Sequence, residues 1–302
     1  MILHVKHGEI DKVRWDKCIS GTPGAKPYGY SWYLDKMVPG WEALVADDYT
    51  AVFPLPCFMK YGIRYLTTPV FLQQLGGYSP KPMNTGMVQL FIEHIPMRYR
   101  YIDMAVGQEV SMTGYTIIQR SNYMMDLTPD YEQIYQGFSR NCKRNISASI
   151  EIQQNIEKNI KPAEIIKLFR QNKGKELCMI RQLNYDRLED LMDFCLRMNL
   201  GKVIGARNES GNLIFGLFYI LFNGSKTMIL LANTPESHEK RTGYYVYNEL
   251  IKESSGTNTF FDFSGSSIPS IARFMESFGA KNYPFYRIYR NRLPWIIKII
   301  KR

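Results

Sequence analysis

Three cations stand close together near the middle of the chain, Arg140, Lys143 and Arg144. Separations of three and four residues put them on one face of a helix, within reach of one anion. Phosphate suits such a set, because arginine offers paired hydrogen bonds and lysine a point charge. The next acid along the chain is Glu151, so their mutual repulsion is relieved by a ligand or by solvent. The same three residues would also serve as a solvated helix face. Other chemistries find little support. Ser264-Gly265-Ser266 lacks the first glycine of a nucleophile elbow and has no evident histidine partner, which argues against a hydrolase triad. No Walker A loop and no GxGxxG fingerprint occurs, the patterns expected of P-loop and dinucleotide sites.

The cysteines, Cys18, Cys57, Cys142, Cys178 and Cys195, are odd in number and scattered, with no CxxC pair. They read as reduced, packed thiols of a cytoplasmic protein. His4, His7, His94 and His238 do not cluster with cysteine or acid, so no metal site is expected. The 302 residues suit two domains rather than one. With 45% apolar and 22% charged residues, both can bury a core. The net charge of +10 attracts nucleic acid, anionic lipid, phosphorylated cofactors and acidic substrates alike. The best apolar stretch, Leu213 to Leu231, is broken by Asn223-Gly-Ser-Lys226, so no transmembrane helix is expected. The N-terminus lacks a basic region followed by an apolar one, so no secretory signal is expected.

The elements that would hold these residues follow from periodicity and breakers. Gly29 to Met37 reads as a helix stopped by Pro39-Gly40. Trp41 to Ala46 and Tyr49 to Leu55 read as strands across the Asp47-Asp48 turn. A Gly-rich loop, a helix at Met87 to Glu93 and a strand at Arg100 to Met104 follow. From Pro129 to Gln171 the pattern is helical and basic on one side, and it reads as a connector. Beyond it, the order is a helix at Tyr185 to Leu200 and strands at Lys202–Ala206, Leu213–Phe222 and Thr227–Ala232. A polar loop, a helix at Tyr244–Glu253, a strand at Thr259–Phe263, a helix at Ile268–Phe278 and a strand at Phe285–Tyr289 complete it.

That order resembles a GNAT acyltransferase domain. Phe261-Asp-Phe-Ser-Gly-Ser-Ser-Ile-Pro, Phe274-Met-Glu-Ser-Phe-Gly-Ala and the basic Phe138-Ser-Arg-Asn-Cys-Lys-Arg-Asn-Ile-Ser-Ala are similar to the Fem-type (FemAB-like) aminoacyltransferases. Phe53-Pro-Leu-Pro and Gln73-Gln-Leu-Gly-Gly extend the likeness into the first half. The resemblance implies an α/β fold with mixed sheets, arranged as two tandem GNAT-like domains. These would be an N-terminal degenerate domain at 1–128, a basic helical connector at 129–171 and a C-terminal domain at 172–302.

It also implies a site. In such domains the donor pyrophosphate sits on a helix N-terminus, where unpaired N–H groups and the helix dipole favour an anion. The matching turn here is Arg241-Thr242-Gly243-Tyr244, with one glycine of the family pattern, a residue closer to the arginine. Arg273 stands where the family places a lysine. Asn233, Asp262, Ser264 and Ser266 fall near the expected parting of two strands, and Tyr286 is the candidate acid for the leaving group. Asp262 would equally anchor the Ser/Gly loop, and Asn233 would equally be a turn residue.

The implied donor is acyl-coenzyme A or aminoacyl-tRNA, a co-substrate rather than a permanently bound cofactor. The acceptor is an amine on a small molecule or a peptidoglycan precursor, and tRNA suits the basic connector. A second reading is a non-catalytic GNAT-fold module that recognises an anionic or phosphorylated partner. The tail Leu293-Pro-Trp-Ile-Ile-Lys-Ile-Ile-Lys-Arg has the composition for peripheral membrane contact, or for docking on the fold. Replacing Arg140, Lys143 and Arg144 together by alanine is expected to leave thermal stability unchanged or slightly raised. It should remove most of the salt dependence of aminoacyl-tRNA binding, read by titration at several salt concentrations. A much lower melting temperature with unchanged affinity would make the cations structural instead.

Overall fold

Asn223 and Gly224 both take positive φ, 45° and 65°. That pair closes a two-residue hairpin, since such turns need left-handed backbone at both positions. It joins the two longest strands of a mixed α/β structure, a computed structural model that describes residues 1–152, 154–177, 179–265 and 268–294. The chain divides into two units, Met1–Arg120 with everything from Pro284 onward, and Ser121–Tyr283.

The first unit opens with β1 (Ile2–Val5), α1 (Lys12–Ser20), α2 (Ser31–Met37), β2 (Glu42–Ala46) and β3 (Ala51–Leu55). It continues with β4 (Cys57–Lys60), β5 (Ile63–Thr67), α3 (Thr85–Glu93), β6 (Tyr101–Val106) and β7 (Thr116–Arg120). The second unit begins with β8 (Tyr123–Asp126), α4 (Tyr131–Gln136), α5 (Arg140–Ile150), β9 (Asn155–Glu157), α6 (Pro162–Gln171) and α7 (Gln182–Arg197). There follow β10 (Gly201–Arg207), β11 (Leu213–Phe222), β12 (Ser225–Asn233), α8 (Pro235–Glu239) and α9 (Thr242–Ser254). It closes with β13 (Phe260–Asp262), α10 (Pro269–Ser277) and β14 (Lys281–Asn282), after which β15 (Phe285–Asn291) returns to the first unit.

The first unit holds a sheet ordered β1-β2-β3 and a second ordered β4-β5-β6-β15-β7. β15 lies between β6 and β7, antiparallel to both, with Tyr286 opposite Val106 and Gln119. Arg287 fixes that register with a two-pronged bond to Asp103, Nε–Oδ1 2.6 Å and NH2–Oδ2 2.8 Å. The strand read at Phe285–Tyr289 therefore exists, but its partners lie in the first unit rather than in a C-terminal half at 172–302. Glu42 is buried beside β1 and gathers His4 at 2.6 Å, Arg98 at 2.6 Å, Arg64 at 3.3 Å and the Tyr99 hydroxyl. Burial opposes its charge, but bonds from Tyr99, His4 and Arg98 outweigh that and hold the carboxyl below its ordinary value.

The second unit holds a seven-stranded sheet ordered β14-β8-β13-β12-β11-β10-β9. On α9, Val246, Tyr247, Leu250, Ile251 and Ser254 are buried, the stripe a core-facing helix requires. On α5, Cys142, Ile146 and Ser149 are buried at helical spacing. Their side of the core is aromatic, with Tyr247 against Phe261, Phe263, Phe274 and Phe278. The stretch 129–171 therefore belongs to this unit's own core and contributes β9 to its sheet edge. The unit begins at Ser121, so the boundary expected at 128 lies before β8, which pairs with β13. The loop expected from Asn233 to Thr242 carries the short α8, opened by Pro235 behind the Thr234 cap.

No helix among the described residues is long and apolar enough to cross a membrane. Cys178, Ser266 and the tail from 295 to 302 lie outside the described residues. Gly265 turns the chain after β13 at a φ of 46°, and a Cβ there would stand 2.1 Å from the Ser121 carbonyl oxygen. Gly265→Ala is therefore expected to lower stability by about 2 kcal/mol or more in urea unfolding. A change within about 0.5 kcal/mol would mean this loop is not held against the 121–122 backbone.

Candidate functional site

The candidate site of the second unit begins where two parallel strands part. β12 pairs with β13 only over Ser225–Thr227 against Phe260–Asp262, while it continues along β11 as far as Asn233 opposite Phe215. From Met228 onward no strand among the described residues lies beside its other edge. Ile229 is the extra residue of a bulge opposite Phe218 and Tyr219, a device that bends a strand and re-aims its groups. At the point of release the Ser264 hydroxyl donates to the Met228 carbonyl. The Ser264 N–H donates to Asp262 Oδ1 at 2.9 Å, and Asp262 is fully buried. Ser264 itself is left-handed, with φ 55°. Asp262 and Ser264 thus come together as the latch that holds the parting strands, and Asn233 stands at the far end of the opened edge.

The chain then runs through α8 to the N-terminus of α9. Arg241 precedes it in left-handed backbone with φ 53° and gives no side-chain cap. Its carbonyl takes the N–H groups of Tyr244 at 3.0 Å and Tyr245 at 3.3 Å. The N–H groups of Thr242 and Gly243 precede those first bonds of the helix, where donors and dipole attract an anion. Thr242 is fully buried, and its Oγ1 has no hydrogen-bond partner among the described residues.

The Cα of Gly243 faces the core. A Cβ there would meet Phe274 Cζ at 3.6 Å and Phe215 Cε2 at 3.7 Å, ordinary contacts on the core side. Tyr244 also turns inward, with its ring 4.9 Å from Phe274 and 5.7 Å from Phe278. Burial is the main cause that pushes its phenol above the usual value.

The cations of α5 share this side of the unit with Arg241. Arg241 Nε donates to Asn145 Oδ1 at 2.9 Å, and Asn145 Nδ2 donates to the Asn141 carbonyl at 2.9 Å. Arg144 donates to Asn141 Oδ1 at 2.7 Å. Lys143 reaches the Gln136 carbonyl at 3.0 Å and lies over the Tyr135 ring. Arg140 is exposed. Among the described residues, none of these cations forms an ion pair with an acid. Arg273 is exposed on α10. Tyr286 lies on β15, half-buried against the core of the first unit, so it shares no strand or loop with Asp262 and Ser264. Asn145 was not legible as part of the site, because an amide on an amphipathic helix carries no signal of its own.

No protein-family model matches the chain, and no curated protein matches it in sequence. Solved structures do match in fold. FemX superposes with a TM-score of 0.67 at 10% identity, over 100% of both chains. The tandem GNAT protein from the clavulanic acid biosynthesis pathway gives 0.55 at 10% identity, covering 97% of this chain and 99% of that one. L-PGS from Bacillus licheniformis gives 0.52 at 11% identity, covering 96% and 95%. The chain therefore shares the fold of these structures, an α/β architecture with mixed sheets, and resembles FemX and the tandem GNAT protein over its whole length.

The orientation of Gly243 yields a test of its role. Gly243→Ala adds a methyl in ordinary contact and improves helix propensity, so stability should hold or rise by up to about 1 kcal/mol in urea unfolding. A loss above about 1 kcal/mol would mean the Phe215 and Phe274 rings leave no room for it.

Proposed function

We propose that this protein is an N-acyltransferase that moves an acyl or aminoacyl group from an activated donor to an amine. The donor is acyl-coenzyme A or aminoacyl-tRNA, and the acceptor is a cell-wall precursor or another peptide or sugar amine. One observation carries the reading. The opened edge of β12 leads through the short α8 to the N-terminus of α9, where Thr242 Oγ1 is buried without a partner among the described residues. An activated donor has two ends that suit those two features. Its phosphates suit the Thr242 and Gly243 N–H groups and the Arg241 guanidinium. Its carbonyl suits backbone donors along the freed strand edge.

In the reaction the acceptor nitrogen attacks the thioester or ester carbon. A tetrahedral oxyanion forms and collapses to the amide, releasing the thiol of coenzyme A or the ribose hydroxyl of tRNA. The nitrogen loses one proton and the leaving group gains one. Donors fixed along β12 would stabilise the oxyanion without reorganising. The Fem-like resemblance supports the aminoacyl branch of this reading, and the basic strip of Arg241, Arg144 and Lys143 supports a donor rich in phosphate.

The alternative, a non-catalytic module for a phosphorylated partner, draws on the engagement of Ser264 with Met228 and of Asp262 with Ser264. Calorimetric titration with acetyl-coenzyme A and with aminoacyl-tRNA, followed by release of the leaving group in the presence of amines, separates the two. The wild type is expected to bind one donor and turn it over. Arg241→Ala should weaken that donor about tenfold, the loss of one charge-assisted contact. Binding without turnover favours the module, and binding of neither donor ends both readings of this helix terminus.

A further inference from the structure

The first unit contains a cavity of about 740 Å3 walled by α3, the segment 111–117 and the chain at Arg290 and Arg292. That size falls in the range of small-molecule sites. Two guanidiniums line it, and neither has an ion pair among the described residues. Arg290 lies over the Tyr115 ring, its carbon 4.6 Å from the centroid. The Arg290 Nε and the Tyr115 hydroxyl are both buried without a hydrogen-bond partner among the described residues. Arg292 is anchored by its backbone N–H to the Arg100 carbonyl at 2.7 Å, while its side chain lines the cavity. Gln89 Nε2 donates to the Ser111 carbonyl and ties α3 to the opposite segment. Glu93 also lines the cavity but forms no ion pair with either arginine.

This arrangement is unfavourable as it stands. Buried donors without partners and two neighbouring like charges each cost stability. Burial pulls the Arg290 guanidinium below its usual value; Tyr115 opposes that shift and Arg292 adds to it. A single oxyanion would answer the whole set, because it accepts from two forked guanidiniums and a hydroxyl at once. We propose that this cavity binds the phosphate or carboxylate group of a small polar molecule through Arg290, Arg292 and the Tyr115 hydroxyl. The cavity exceeds the needs of a bare ion. The rest of the molecule lies toward Gln89 and Glu93, which suit a hydroxyl or an amine. The inference does not rest on the acyltransferase reading, since every residue it uses belongs to the first unit.

The test measures melting temperature and calorimetric affinity of the full chain with inorganic phosphate and, separately, with citrate, at ionic strength matched by sodium chloride. The wild type is expected to melt higher with one of the two than with chloride alone, and which one does so distinguishes phosphate from carboxylate. Arg292→Gln, at an exposed position, should weaken the effective anion about tenfold. Tyr115→Phe removes a buried hydroxyl that has no partner, so it should leave the ligand-free melting temperature unchanged or higher while weakening the anion several-fold. Arg241→Ala should respond like wild type, which separates this cavity from the α9 terminus. No response beyond chloride would overturn the proposal. So would an unaltered response in Arg292→Gln and Tyr115→Phe, or a Tyr115→Phe variant that melts lower without ligand.

Discussion

Three residue pairs of parallel ladder, Ser225–Thr227 against Phe260–Asp262, set the geometry on which the candidate site depends. Backbone groups seldom go without partners inside a protein, so a strand that loses its neighbour partway must be compensated. Here the compensation is local. Ser264 bonds the Met228 carbonyl at the point of parting, and Asp262 holds the Ser264 N–H. The chain can turn there only because Ser264 and Gly265 both take left-handed backbone, with φ 55° and 46°. A longer β13 would pair Met228 to Asn233 and close the edge. A weaker latch would let the two strands drift and blur the distance from the edge to α9.

The elements of the second unit were largely legible because their signals are local. Asn223-Gly224 between two apolar runs specifies a tight hairpin, and the spacing of Val246, Tyr247, Leu250 and Ile251 specifies a core-facing helix. What was not legible was the choice of partner. The alternation in Phe285–Tyr289 says that a strand forms, but not which sheet receives it. The Arg287–Asp103 pair that ties it to β6 joins residues far apart in sequence. The resemblance implies Tyr286 as the acid for the leaving group, whereas the ladder puts its strand in the first unit. The stretch 129–171 read as a basic connector because its charges are conspicuous. Phe138, Cys142 and Ile146, all nearly inaccessible, make it part of the core instead.

The candidate site was legible in part, for the same reason. A cation beside a helix start and a strand before it can be read from spacing, and Arg241 and Thr242 fall there. Side-chain direction cannot. Tyr244 falls in the turn expected to hold the donor phosphates, yet its ring stacks among Phe274 and Phe278. The excess of positive charge resolves into two kinds. Arg98, Arg207 and Arg287 are committed to acids, while Arg140, Lys143, Arg144 and Arg241 form no ion pair with an acid among the described residues. Cations left without acids mark where a phosphorylated partner gains most.

In the proposed reaction the freed edge of β12 and the start of α9 hold an activated donor together. Hydrogen–deuterium exchange of the full chain, with and without acetyl-coenzyme A or aminoacyl-tRNA, addresses it directly. Slower exchange is expected in peptides spanning Met228–Asn233 and Arg241–Val246 with one of the two donors, with both segments changing at the same donor concentration. Protection confined to other segments, or protection of one of these two without the other, would contradict it.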